Sequence, residues 1–189
     1  MANKGLQHVV FAKKITGGYA NLVHISPAAR VAVTMTKAEG NDYGDDRLVD
    51  TESQVTGADI EVELNHEEKN IYNYLLGHVD TSTGYETQFA VDDDPPVLGM
   101  GFLVKSRVTS GTVWVGTVFK EVKFSEPNIT AQTKAESVNF QHITIPGKML
   151  IPEDGTYKIR KEFTTASAAV AWIDGKLGGD VLVEEDINP

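Results

Sequence analysis

The chain has 189 residues, 41% of them hydrophobic, a formal net charge of −10 and no cysteine. Such a length suits one domain with a buried core, and the composition excludes a disordered chain, disulfide frameworks, zinc–thiolate sites and cysteine nucleophiles. The negative charge disfavours a protein that grips nucleic acid, because that affinity comes from lysine and arginine displacing counterions; an acidic surface beside DNA instead keeps the polymer from sticking.

The opening stretch, MANKGLQHVVFAKK, holds no apolar run of signal-peptide length, and no stretch approaches a transmembrane span. A soluble chain made in the cytoplasm is expected. Gln7 to Ile15 reads as a first strand. From Arg30 to Lys37, Val31, Val33 and Met35 alternate with Arg30, Ala32, Thr34 and Thr36, the period of a half-buried strand. The segment KAEGNDYGDDRLVDTESQ is acidic, contains glycine and is nearly free of large aliphatic residues, so a long loop is expected over 38–54. Ala58, Ile60, Val62 and Leu64 then share one face of a strand, with Asp59, Glu61 and Glu63 on the other.

A helix is predicted over Glu67 to Leu76. Asn65 is its N-cap, with Glu68 three residues on, and Ile71 and Leu75 lie one turn apart, as do Tyr72 and Leu76. Gly77 is the natural residue to end it. Strands are predicted from about Leu98 to Arg107 and over Thr112 to Phe124, joined by a turn at Thr109–Thr112, then over Val138 to Ile145 and Thr156 to Phe163. The stretch TTASAAVAWIDG reads as a short helix capped by Thr164 or Thr165 and stopped at Gly175; an acidic tail follows from about residue 180. The expected fold is mainly β (α+β): a single domain over 1–189 with two packed antiparallel β-sheets, sandwich- or barrel-like, one central flanking helix and a short C-terminal helix.

The residues offer little catalytic chemistry. HEEKN at His66–Asn70 lacks the second histidine of a zincin helix. The histidines at 8, 24, 66, 78 and 142 do not fall at ligand spacing. NDYGDDRLVD has its acids in the wrong order for a calcium loop. Neither a nucleophile elbow nor a phosphate-binding loop is present. No catalytic residue, cofactor or metal is expected. The stretch VDDDPPVLGMGF, Val91 to Phe102, could be a metal-binding acid cluster, a phosphate loop or a strand entry. Its third glycine is missing and no helix follows, so the strand reading survives. Leu98, Met100, Phe102 and Val104 make a large apolar face, while Gly99 and Gly101 mark close approach by another backbone, within the domain or from a neighbouring subunit.

Several short motifs, in order from about Ala38 to Ile159, resemble the major tail (tail tube) proteins of long-tailed bacteriophages of Gram-positive hosts. These are the acidic turn and prolines before VLGMGF, the helix end YLLGH (Tyr74–His78), FKEVKFSEP (Phe119–Pro127), AQTKAESVNFQHITIPG (Ala131–Gly147), AEGNDYGDDRLVDTES (Ala38–Ser53) and EDGTYKI (Glu153–Ile159). The chain departs from the family pattern in LGMGF, in HIT at His142–Thr144 and in an insertion around Gly40–Arg47.

The resemblance implies a structural virion protein without enzymatic activity or cofactor. Its subunits form hexameric rings that stack into the tail tube, the conduit for DNA ejection. It implies as partners other copies of itself, the tape measure protein, and the tail terminator and distal tail proteins, with DNA passing through the lumen without specific binding and no membrane involved. Asp59, Glu61 and Glu63 are candidates to face that lumen. Asn41, Asp42, Tyr43, Asp45, Asp46 and Arg47 are candidates for contacts between rings or subunits. Asp92, Asp93, Asp94, Gly99 and Gly101 are candidates for a further subunit contact. The rival readings are a tube protein of a contractile tail, a phage-like bacteriocin or a secretion system, and a β-sandwich module that binds carbohydrate or protein.

Overall fold

The alternating segments become strands in the computed structural model, which describes residues 2–25, 28–44, 47–65, 69–80, 87–88, 91, 93–108, 111–128 and 142–178. In chain order they are β1 (Ala2–Ile15), β2 (Gly18–Ile25), β3 (Ala28–Gly44), β4 (Arg47–Leu64), helix α1 (Lys69–Leu76), the short β5 (Val79–Asp80) and β6 (Thr87–Gln88), β7 (Leu98–Val108), β8 (Gly111–Phe124), β9 (Ile143–Met149), β10 (Lys158–Phe163) and helix α2 (Ala166–Lys176). The fold is mainly β, as the period-2 patterning requires. The expected pair of sheets is corrected in one respect: the two layers are parts of a single open sheet, ordered β2-β1-β7-β8-β9-β4-β3.

That sheet folds over at β8. One edge of β8 pairs with β7, while its other edge is divided between β10, along Trp114–Phe119, and β9, along Val122–Phe124. Bulges bend β1 and β2 further. His8 and Val9 stand opposite Phe102 alone, because Gln7 pairs with Leu103 and Val10 with Gly101. Residue His8 there has φ +51, and Asn21, at a register shift between β1 and β2, has φ +55. An extra residue in one strand of a pair increases its twist and re-aims a side chain.

Folding the sheet encloses the main core. Val9 and Phe11 of β1 and Leu98 and Met100 of β7 form one wall; Ala58, Ile60, Val62, Ile145 and Met149 of β4 and β9 form the other. Helix α1 closes an opening with Ile71, Leu75 and Leu76, and it ends where predicted, at Gly77 with φ +78. Tyr74 ties this helix to the β1–β2 ribbon by donating its hydroxyl to the Asn21 carbonyl.

A second core lies on the outer side of β1, β7 and β8, under α2. Val10, Ala12, Leu22, Leu103 and Val118 meet Ala169, Ile173 and Leu177 there. Thr165 caps the helix by accepting from the Ala168 amide, as one of the two predicted caps. The stop is corrected: Gly175 lies inside α2, which runs on to a C-cap at Leu177 and then Gly178 at φ +102. The helix sits on a strip without side chains. A Cβ on Gly101 would lie 2.4 Å from Ile173 Cγ2, and one on Gly99 would lie 2.5 Å from Leu177 Cδ2. Gly99 and Gly101 are therefore seats for α2, a close approach from within the subunit, one of the two sources that the sequence left open.

Two outcomes follow. Gly101→Val destabilises the fold by about 1–3 kcal/mol in urea titration, and adding Ile173→Ala recovers part of the loss, because the clash is between those two positions. Burial raises the pKa of Tyr74 from 10.0 to about 12, against a lowering bond from the Lys13 backbone. The folded state then keeps this proton where the unfolded chain loses it. Its contribution is complete below pH 10 and fades as pH rises towards 12. Tyr74→Phe makes the alkaline fall in stability shallower in denaturation series across that range.

Candidate functional site

The predicted loop at 38–54 is corrected to a β-hairpin. Beyond the pair Lys37–Val55, β3 and β4 stay hydrogen-bonded through Ala38–Gln54, Gly40–Glu52 and Asn41–Thr51 to Gly44–Arg47, with one irregularity between Asp42 and Tyr43. The pattern read as a loop because no face of this stretch is apolar, and residues 38–40 and 52–54 are exposed and bury none. β9 accompanies β4 only along Ala58–Leu64. The distal half of the hairpin is thus a two-stranded ribbon among the described residues, roughly 25 Å long at ~3.3 Å per residue. Residues 36–40, 52–54 and 56 are exposed. Asn41, Asp42, Tyr43 and Arg47 lie at the ribbon's far end; Asp45 and Asp46 lie outside the described residues. A lone two-stranded ribbon is marginally stable in water, and its unpaired edges invite another strand.

At the root of the ribbon, Asp59, Glu61 and Glu63 share the outward face of β4, as alternation predicts, while Ile60 and Val62 are fully buried beneath them. Sequence alone did not show their partners. Asp59 lies 3.6 Å from Lys148 of β9, Glu61 lies 3.5 Å from Arg30 of β3, and Glu63 Oε1 lies 2.8 Å from His142 Nδ1. Cross-strand register brings Lys148 opposite Asp59 and Arg30 opposite Glu63. These acids therefore form part of a mixed-charge face.

Two of the three aspartates, Asp93 and Asp94, make ion pairs within the subunit. Asp93 Oδ2 lies 2.7 Å from Nδ1 of His78, whose side chain is only 4% exposed and whose Nε2 faces Glu126. Asp94 reaches Lys123 at 2.6 Å, and its carbonyl would lie 2.8 Å from a Cβ on Gly77. The turn is thereby clamped to the end of α1 and to β8. Asp92 lies outside the described residues. Asp93 is paired with His78 within the subunit, while Asp94, paired with Lys123, keeps an exposed carboxylate.

The sequence also missed a cluster. Spacing along the chain separates His8, His24 and Asp174, but pairing of β1 with β2 and docking of α2 bring them together. His8 Nε2 lies 2.8 Å from Asp174 Oδ1, and the two imidazoles stand edge to face at 4.6 Å. No signal in the sequence could have found it, because it depends on the bulge at His8 and on the seat of α2. Among the described residues, no helix is long and apolar enough to cross a membrane.

Glu61→Gln changes stability by less than about 0.5 kcal/mol in urea titration, since an exposed ion pair contributes little. His78→Ala costs about 2 kcal/mol, because it strands the partly buried Asp93 carboxylate.

No protein-family model matches the chain, and no curated protein matches it.

Proposed function

We propose that this chain is a tail tube protein of a long-tailed phage, a structural component that closes into hexameric rings and stacks into a conduit for DNA in the virion tail. The observation that carries the reading is the projecting hairpin. A polar two-stranded ribbon, paired with a third strand only at its root among the described residues, gains much from a neighbour that covers it. The sheet it springs from is open, with β2 and β3 at its ends. Strand edges of this kind are satisfied when each subunit offers one surface to the next and rotation closes the ring.

The ordered motifs from Ala38 to Ile159 supply the family, and the charge suits the task. On the face around β4, the carboxylates of Asp59, Glu61 and Glu63 oppose the two permanent cations Arg30 and Lys148, which leaves one net negative charge per subunit. A weakly negative wall lets DNA slide, whereas a positive one would hold it. The tape measure protein and the terminator and distal tail proteins are the partners that this role requires.

The test separates fold from assembly. Gly40 to Glu52 are replaced by Asn-Gly, which closes the hairpin at the pair Glu39–Ser53 with a two-residue turn. The wild-type chain forms rings or tubes in negative-stain images as its concentration rises. The shortened chain keeps the wild-type circular dichroism and stays monomeric. A wild-type chain that remains monomeric at every concentration, or a shortened chain that assembles equally well, contradicts the proposal.

A further inference from the structure

The strained bulge of β1 points to chemistry that tube assembly does not use. Among the described residues, Asp174 is the one carboxylate-bearing residue in the buried set, and burial of a carboxylate is costly unless something compensates its charge. Two imidazoles converge on it. His8 comes from β1, His24 from β2 and Asp174 from the last turn of α2, and one ligand atom of each lies within 4.8 Å of the others. The side chains of His8 and Asp174 are 13% and 12% exposed, so the group is sheltered yet reachable from solvent. His8 is held there in the left-handed region, φ +51, by the bulge that sets it and Val9 against Phe102. A non-glycine residue in that region is strained, and such strain persists only where the surrounding structure over-determines it.

We propose that His8, His24 and Asp174 form a binding site for a divalent transition-metal ion of the zinc type. Two neutral imidazoles and one carboxylate are a zinc ligand set that leaves a position for water. Ligand atoms around tetrahedral zinc stand about 3.3 Å apart, given bonds of ~2.0–2.2 Å. The widest of the present spacings, at most 4.8 Å, closes to that value by about 1.5 Å, while the 2.8 Å between His8 Nε2 and Asp174 Oδ1 opens by about 0.5 Å as His8 exchanges its hydrogen bond to Asp174 for the metal. The ion would join β1, β2 and α2 at one point. Its effect is to lock the C-terminal helix onto the sheet, and it acts on the folded state because the three ligands are far apart in the unfolded chain.

The full-length chain, made without a histidine tag, is stripped with chelator and dialysed against zinc chloride, and bound zinc is measured by mass spectrometry of the metal. The expected result is one zinc per chain and a melting temperature that rises with zinc and falls again with chelator. His24→Gln and His8→Asn each reduce binding at least tenfold and abolish the zinc-dependent rise; asparagine tolerates the left-handed backbone, so His8→Asn keeps the bulge. His142→Gln, away from the site, binds as wild type. Circular dichroism confirms that each variant is folded. Absence of stoichiometric zinc in the wild type, or undiminished binding in folded His8→Asn and His24→Gln, overturns the proposal. The test does not depend on ring formation, so it stands apart from the tube reading.

Discussion

Three residue pairs, Val122–Met149, Lys123–Lys148 and Phe124–Gly147, carry the sheet from one wall of its core to the other. Everything else rests on that crossing. A Cβ on Gly147 would lie 2.7 Å from the Phe124 ring, so the glycine makes room for the phenyl group that fills the corner. Phe124 in turn meets Phe11 of the opposite wall edge to face, with ring centres 5.4 Å apart. Such pairs add about 0.5–1.5 kcal/mol beyond their buried area. β8 supports this corner because its edge is shared: β10 takes the first part and β9 the last, and the connection between them stays bonded to β8 through the Leu150 amide and the Tyr157 carbonyl.

With the sheet folded inward at the corner, its outer side is left to α2. The glycines at 99, 101 and 116 let Ile173, Leu177 and Trp172 descend to the backbone of β7 and β8. The same descent sets Asp174 against His8. The bulge at His8 and the glycine seat are thus two halves of one local arrangement. On the far wall, β3 and β4 have the opposite character. β9 pairs with β4 along Ala58–Leu64, and beyond it β3 and β4 continue outward paired with each other.

Much of this could be read from residues. The alternation of Ala58, Ile60, Val62 and Leu64 with Asp59, Glu61 and Glu63 gave both the strand and its buried face, because one face of β4 does meet the core. The end of α1 was legible in Gly77, whose positive φ only glycine adopts without strain. The distal hairpin was read as a loop for the same physical reason in reverse: period-2 patterning records burial, and the exposed residues 38–40 and 52–54 have none to record. β2 escaped notice because its burial is irregular, interrupted by the shift at Asn21. Gly99 and Gly101 announced a close approach but not its source, since a helix more than sixty residues later in the chain supplies it. The pairings of Asp93 with His78 and of His8 with Asp174 belong to the tertiary fold and leave no local trace.

The central claim is that the Lys37–Val55 ribbon exists to be covered by another copy of the chain. Hydrogen–deuterium exchange of its backbone amides, compared between dilute and concentrated protein, tests this most directly. The account predicts rapid exchange beyond Lys37 and Val55 in dilute solution, set against slow exchange at Ile60 and Val62, and strong protection of the ribbon once the chain is concentrated enough to associate. Ribbon amides that exchange equally fast at all concentrations, or that are already protected in the monomer, would contradict it.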